Sequence, residues 1–204
     1  MLIKTLTVGQ LDTNCYIVIN EATLECVVID PGDESNTILD YIEDNKLVCK
    51  AVLITHGHMD HTGAVQSVID ETGAKVYMNK RDNVTGTAGL PYFYDLPENG
   101  ISYDDGNIFV EAGLTFGVLS TPGHTPGSVA LICENAIFSG DTLFRGSCGR
   151  TDLYGGNIED LMHSLKKICS LSGDYEVYPG HMASTSLIRE KTLNFYCRKA
   201  ISDY

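Results

Sequence analysis

Four residues able to ligate a metal fall within six positions of this chain, His56-Gly57-His58-Met59-Asp60-His61, directly after the apolar run Ala51-Val52-Leu53-Ile54. Side chains two apart at the end of an extended strand point the same way, so His56 and His58 can meet on one ion. Asp60 and His61 lie past the strand end, where a turn can aim them at a second ion. Gly57, lacking a Cβ, lets the backbone between the two histidines bend close to the metal. The spacing predicts two adjacent metals rather than one.

Three further segments put a ligand-type residue just after a predicted strand in a Gly-containing turn: Thr121-Pro122-Gly123-His124-Thr125, Phe138-Ser139-Gly140-Asp141-Thr142 and Tyr178-Pro179-Gly180-His181. Taken singly, such a histidine is more often structural, and an aspartate there is more often a turn cap. The set taken together points to a site built from loops at one edge of a sheet. The sixth histidine, His163, falls off the Leu161, Leu165, Ile168 face of a predicted helix and reads as a surface residue. Imidazole and carboxylate ligands suit zinc, with iron or manganese as alternatives. Two such ions ~3.5–4 Å apart can share a water, lower its pKa from ~15.7 toward ~7 and polarise a carbonyl, so that no Ser or Cys nucleophile is needed.

The elements that must hold these residues follow from periodicity. Apolar runs predict strands at Leu2 to Val8, Cys15 to Ile19, Cys26 to Ile29, Ala51 to Ile54, Lys75 to Met78, Ile108 to Val110, Leu114 to Leu119, Ser128 to Cys133, Ala136 to Ser139 and Glu176 to Tyr178;. Helical spacing covers Glu34 to Asp44, His61 to Glu71, Ile158 to Leu171 and Ser184 to Arg198. The stretch Arg81 to Asn107, rich in Gly, Pro, Asn, Asp and Tyr, reads as a long irregular loop that carries Tyr92, Phe93 and Tyr94. Many strands with helices after several of them favour a sheet-on-sheet core covered by helices.

Composition narrows the function classes. The 204 residues are 43% hydrophobic and 20% charged, ordinary values for a globular protein, and are read as one domain over 1–204;. A net charge of −13 without a basic run argues against nucleic acid as a partner;. No apolar stretch approaches the ~20 residues that span a membrane, and the first residues turn polar too soon for a signal peptide, so the expected compartment is the cytoplasm with no membrane partner. Seven scattered cysteines without a Cys-x-x-Cys pair fit neither a disulfide framework nor a thiolate zinc knuckle, and Cys148 reads as packing;.

The ordered set His56, His58, Asp60, His61, His124, Asp141 and His181 resembles the metallo-β-lactamase superfamily. Gly123-His124-Thr125-Pro126-Gly127-Ser128 and the run from Gly140 to Arg150 resemble its glyoxalase II-like (hydroxyacylglutathione hydrolase-like) branch, in a compact form in which the residues after His181 suffice for one helix. The resemblance implies an α+β, four-layer αββα sandwich with the metals at one edge of its two sheets. It implies a first metal on His56, His58 and His124, a second on Asp60, His61 and His181, and Asp141 bridging both. It gives Asp30 the part of bracing a ligand histidine from behind, and Arg150 that of contacting a thiol carrier. Where the family has an aromatic residue two positions after Arg150, this chain has Asp152, with Tyr154 further on as a candidate substrate contact.

The expected reaction is hydrolysis of a small thioester or ester, in which Asp60 orients the attacking oxygen and Asp141 secures the metal pair. An iron-dependent persulfide dioxygenase-like oxidoreductase using His56, His124 and Asp141, a lactonase, and a metal-stabilised binding module are the alternatives. The retention of Asp60, His61 and His181 favours hydrolysis. Oligomeric state is not readable.

Overall fold

The computed structural model describes residues 1–84 and 92–204. Alternation along the strands decides its layers. In β2 (Thr13–Asn20), Tyr16 and Val18 face one side and Cys15, Ile17 and Ile19 the other, and both sets are buried. β3 (Glu25–Ile29) repeats this with Val27 and Ile29 against Cys26 and Val28. A sheet that is apolar on both faces needs a cover on each. Tyr16, Val18, Val27 and Ile29 share a core with Phe116, Leu131 and Phe138 of a second sheet. On the other side, Ile17 and Val28 meet Ile38 and Ile42 of α1 (Ser35–Asp44) and Val65 and Val68 of α3 (Val65–Thr72).

The first sheet runs in the order β1 (Leu2–Val8), β2, β3, β4 (Val48–Leu53), β5 (Lys75–Met78), β6 (Ile101–Ser102), antiparallel as far as β3 and parallel from there. The second runs β14 (Thr185–Ser186), β13 (Glu176–Pro179), β10 (Ala136–Gly140), β9 (Val129–Cys133), β8 (Leu114–Ser120), β7 (Ile108–Glu111), with only the β10–β13 pair parallel. Its outer face buries Ile137 and Val177 against Leu161, Leu165 and Ile168 of α4 (Ile158–Cys169) and Cys197 and Ala200 of α6 (Phe195–Asp203). The result is the expected α+β sandwich of two helical and two sheet layers. No helix among the described residues is long and apolar enough to cross a membrane.

Two expected helices are each divided. The span His61 to Glu71 is α2 (Met59–Thr62) followed by α3, and Ala64 N at the break donates to Pro31 O at 3.0 Å instead of continuing a helical ladder. The C-terminal span is α5 (Leu187–Leu193) and α6, separated by Asn194, whose extended backbone (φ −73°, ψ 122°) frees its side chain to cap Tyr196 N and Cys197 N. A capping side chain competes with helix continuation, which apolar spacing alone does not register. The irregular loop Arg81 to Asn107 is not wholly irregular: a 3-10 turn, Lys80–Asp82, overlaps its start and the edge strand β6 lies near its end. Its positions 85–91 lie outside the described residues. A two-stranded hairpin, β11 (Leu143–Phe144) and β12 (Ser147–Cys148), was too short to show a period in the sequence.

Candidate metal centre

Five of the seven ligand-type residues lie just past strand ends, and Asp60 and His61 follow on the short helix α2. β4 leads into His56 and His58, β8 into His124, β10 into Asp141 and β13 into His181. Because β3 and β4 run parallel, as do β10 and β13, the loops that follow each pair leave from the same end. Sites in sheets of this kind form beyond the carboxyl ends of the strands.

Ligand-capable atoms of His56, His58 and His124 lie within 4.8 Å of one another, as do those of Asp60, His61 and His181. In the first group, His58 Nδ1 is 3.0 Å from His124 Nε2. In the second, His181 Nε2 is 3.3 Å from His61 Nε2 and 3.2 Å from Asp60 Oδ2. Asp141 stands between them, with Oδ1 3.5 Å from His61 Nε2 and Oδ2 3.5 Å from both His124 Nε2 and His181 Nε2. The structure thus brings together all seven residues that the sequence suggested.

Each imidazole but one is aimed from behind. His61 Nδ1 donates to Asp30 Oδ2 (3.0 Å), His124 Nδ1 to Arg150 O (2.8 Å), His181 Nδ1 to Leu11 O (3.0 Å) and His56 Nδ1 to Thr55 Oγ1 (3.1 Å). Committing the far nitrogen to a proton leaves the near one a free lone pair. Asp30, buried and in a left-handed turn (φ 51°), also accepts from Thr55 N (2.7 Å) and Thr55 Oγ1 (2.6 Å), so its position is fixed as well. Asp30→Asn is expected to lower metal affinity by about 10- to 100-fold, the usual effect of losing such a partner. Competition with a chromophoric chelator measures it, and unchanged affinity would leave Asp30 as a turn cap only.

These residues fit a pair of cations. His56 Nε2 and Asp141 Oδ1 are buried without a hydrogen-bond partner, which is costly unless something else satisfies them;. A Cβ on Gly180 would sit 2.2 Å from Asp141 Oδ1 and 2.6 Å from His61 Cε1, so the cradle closes on Asp141 only because that residue is glycine. Burial and the neighbouring imidazoles push His56 well down, and burial takes His58 to about 3, so both present neutral lone pairs at neutral pH. Burial acts the same way on His61, but Asp141, Asp30 and Asp60 outweigh it and lift that imidazole to about 9. Burial likewise disfavours charge on His181, and Asp60 and Asp141 outweigh it. Burial opposes the Asp60 charge too, yet its bond to His181 and the neighbouring histidines hold it below the usual carboxylate range. The carboxylates therefore demand positive charge at this spot, which either protons or divalent cations supply.

Three supporting residues carried no signal in the sequence. Asp82, fully buried, accepts from Gly57 N (2.9 Å), Thr125 Oγ1 (2.7 Å) and Gly127 N (2.6 Å), tying the His56 to His58 loop to the His124 loop. Glu190 accepts from Gly146 N (2.7 Å), and Asn194 Nδ2 donates to Ser147 O (2.9 Å), so the C-terminal helices hold the β11–β12 hairpin. Their partners lie more than 20 residues away, and only the fold reveals them.

The centre opens into a cavity of about 840 Å3 lined by His58, Asp60, His124, Asp141 and His181 on its floor and by Phe144, Ser147 and Cys148 of the hairpin. Arg150 lines it too, whereas Tyr154 meets the edge of the Phe93 ring (6.2 Å, 83°) and does not face the cavity. Phe93 in turn covers the His58 ring at 4.7 Å. His163 is exposed and away from the centre.

Comparison with known proteins agrees on the family and not on a single activity: alongside the relatives below, ETHE1 from Myxococcus xanthus superposes with a TM-score of 0.84 at 27% identity, covering 99% of this chain and 91% of its own. The Metallo-beta-lactamase superfamily model matches residues 8–181. The hydroxyacylglutathione hydrolase GloC of Haemophilus influenzae is 32% identical, over 95% of this chain and 97% of that one. Among solved structures, BLEG-1 B3 metallo-beta-lactamase superposes with a TM-score of 0.87 at 32% identity, covering 96% of this chain and 99% of its own. TTHA1623 in a di-iron-bound form gives a TM-score of 0.80 at 34% identity, with 95% and 99% covered.

Proposed function

We propose that this chain, which belongs to the metallo-β-lactamase superfamily, is a dinuclear metal-dependent hydrolase of a small thioester or ester. One observation carries the reading: two complete ligand groups, His56/His58/His124 and Asp60/His61/His181, flank a shared Asp141. His56, His58 and His124 would hold one ion, Asp60, His61 and His181 the other, and Asp141 both. When bound, such a pair supplies Lewis acidity to a carbonyl and lowers the pKa of water toward ~7. Zinc is the first expectation for the metal, and the di-iron form of TTHA1623 keeps iron in view;.

The protein's own groups do the rest. Asp60 Oδ2, beside His181 and within 3.5 Å of Thr13 Oγ1, is placed to accept a hydrogen bond from the attacking water and orient it;. Asp30, Thr55 and the carbonyls of Leu11 and Arg150 keep the imidazoles aimed while charge shifts during the reaction;. Phe93, lying over His58, keeps bulk solvent from one side of the centre;.

The test is metal content and activity on one purified sample. We expect two divalent ions per chain and hydrolysis of a thioester without oxygen uptake, lost on chelation and restored by metal. One iron per chain, with oxygen consumed on a persulfide, would replace this reading by an oxidoreductase.

A further inference from the structure

We infer that the site is tuned to thioesters and esters whose groups flanking the carbonyl are uncharged and apolar, and that Asp152 helps set this preference by occupying Arg150. The inference rests on the hydrolase reading above. Hydrolysis adds water across the acyl bond: a C–O bond forms, the C–S bond breaks and the sulfur leaves as a thiol with a proton.

The cavity wall carries the first argument. Above the ligand floor it is lined by Leu11, Met59, Tyr92, Phe144, Leu153 and Met182. Leu11 is 65% exposed, Met182 58% and Met59 49%, and Tyr92 and Leu153 are exposed as well. Large apolar side chains gathered in the open around one cavity mark a surface that gains by being covered. A substrate with apolar flanks would cover it, and one with carboxylates beside the carbonyl would not.

Arg150 carries the second. It is the single Lys or Arg among the described residues lining the cavity. Its Nε donates to Asp152 Oδ1 and its Nη2 to Asp152 Oδ2, both at 2.7 Å, so one of the two guanidinium edges able to grip a substrate carboxylate, Nε–Nη2, is taken and its charge is offset;. The Arg150 carbonyl is fixed on His124, which keeps this pair at the edge of the site. An anionic substrate would have to displace Asp152 or bind the remaining Nη1 edge beside that carboxylate, and in either case approach a chain of net charge −13;.

The test compares thioesters of N-acetylcysteamine, which is uncharged, with glutathione thioesters carrying the same acyl groups, acetyl through hexanoyl, on wild type and Asp152→Ala at matched metal content. In wild type, kcat/KM should rise about two- to fourfold per methylene and favour the uncharged carrier. Asp152→Ala should raise kcat/KM on the glutathione series by about two- to fivefold, an advantage that fades with added salt, and leave the uncharged series unchanged. A wild-type preference for glutathione esters with no gain in Asp152→Ala would overturn the inference. Absence of turnover on every thioester by protein holding both metals would instead overturn the hydrolase reading, and the inference with it.

Discussion

Asp141→Ala is expected to lose the second metal and weaken the first, with turnover falling by more than about 100-fold, beyond the usual effect of removing a residue that only supports a ligand. The reason is position. Among the described residues, Asp141 is the one side chain whose two oxygens approach both groups of histidines, at 3.5 Å from His61, His124 and His181. Without it, no described side chain links the two ligand groups in this way, and the demand for positive charge at His61 and His181 weakens to what Asp30 and Asp60 supply. Folding should survive, because the buried Asp141 Oδ1 forms no hydrogen bond that the fold depends on. Metal analysis, circular dichroism and thioester turnover on one preparation check this. Two retained metals with near-normal rates would show that Asp141 is not the shared ligand.

Gly149→Ala should do comparable damage by another route. A Cβ at this position would lie 1.8 Å from Asp141 O and 3.5 Å from His124 Cβ, and the first of these contacts is with backbone, which cannot swing aside. The β12 end and the Asp141 turn would have to separate by more than an ångström. Forced overpacking of this kind costs about 1–3 kcal/mol, with about 2–4 °C of melting temperature lost per kcal/mol in a chain of this size. A shift of about 1 Å at Asp141 should also cost about 100-fold in rate. Gly146→Ala is the control. Its Cβ meets nothing within 4 Å, so it carries only the left-handed backbone penalty of about 1–2 kcal/mol and should leave the kinetics close to wild type;. Equal rate losses in the two variants would mean that the hairpin as a whole, rather than the contact with Asp141, is what matters.

The contrast between these variants reflects what a sequence can disclose. The ligand residues were legible because metal chemistry restricts residue type, and the sheet edge restricts spacing: His56 and His58 two apart, Asp141 and His181 each after a Gly at a strand end. The strands were legible because both faces of the central ones are apolar, as the burial of every residue from Cys15 to Ile19 records. Contacts made across the fold leave no such mark. Nothing around Asp82 announces that its carboxylate will gather two ligand loops 25 and 43 residues away. Asn194 read as one more helical position until its side chain was seen to cap α6 and hold the hairpin. Arg150 was visible as a cation near the site, but its commitment to Asp152 depends on the local turn that sets the two side chains face to face.

The central claim, that these side chains gather a pair of metal ions, is tested most directly by anomalous diffraction from crystals of the metal-loaded protein, recorded at the absorption edges of zinc, iron and manganese. The account predicts two peaks ~3.5–4 Å apart, one among His56, His58 and His124 and the other among Asp60, His61 and His181, with the Asp141 carboxylate touching both. A single peak confined to one group, or metal-loaded crystals in which these side chains turn away from any common centre, would contradict it.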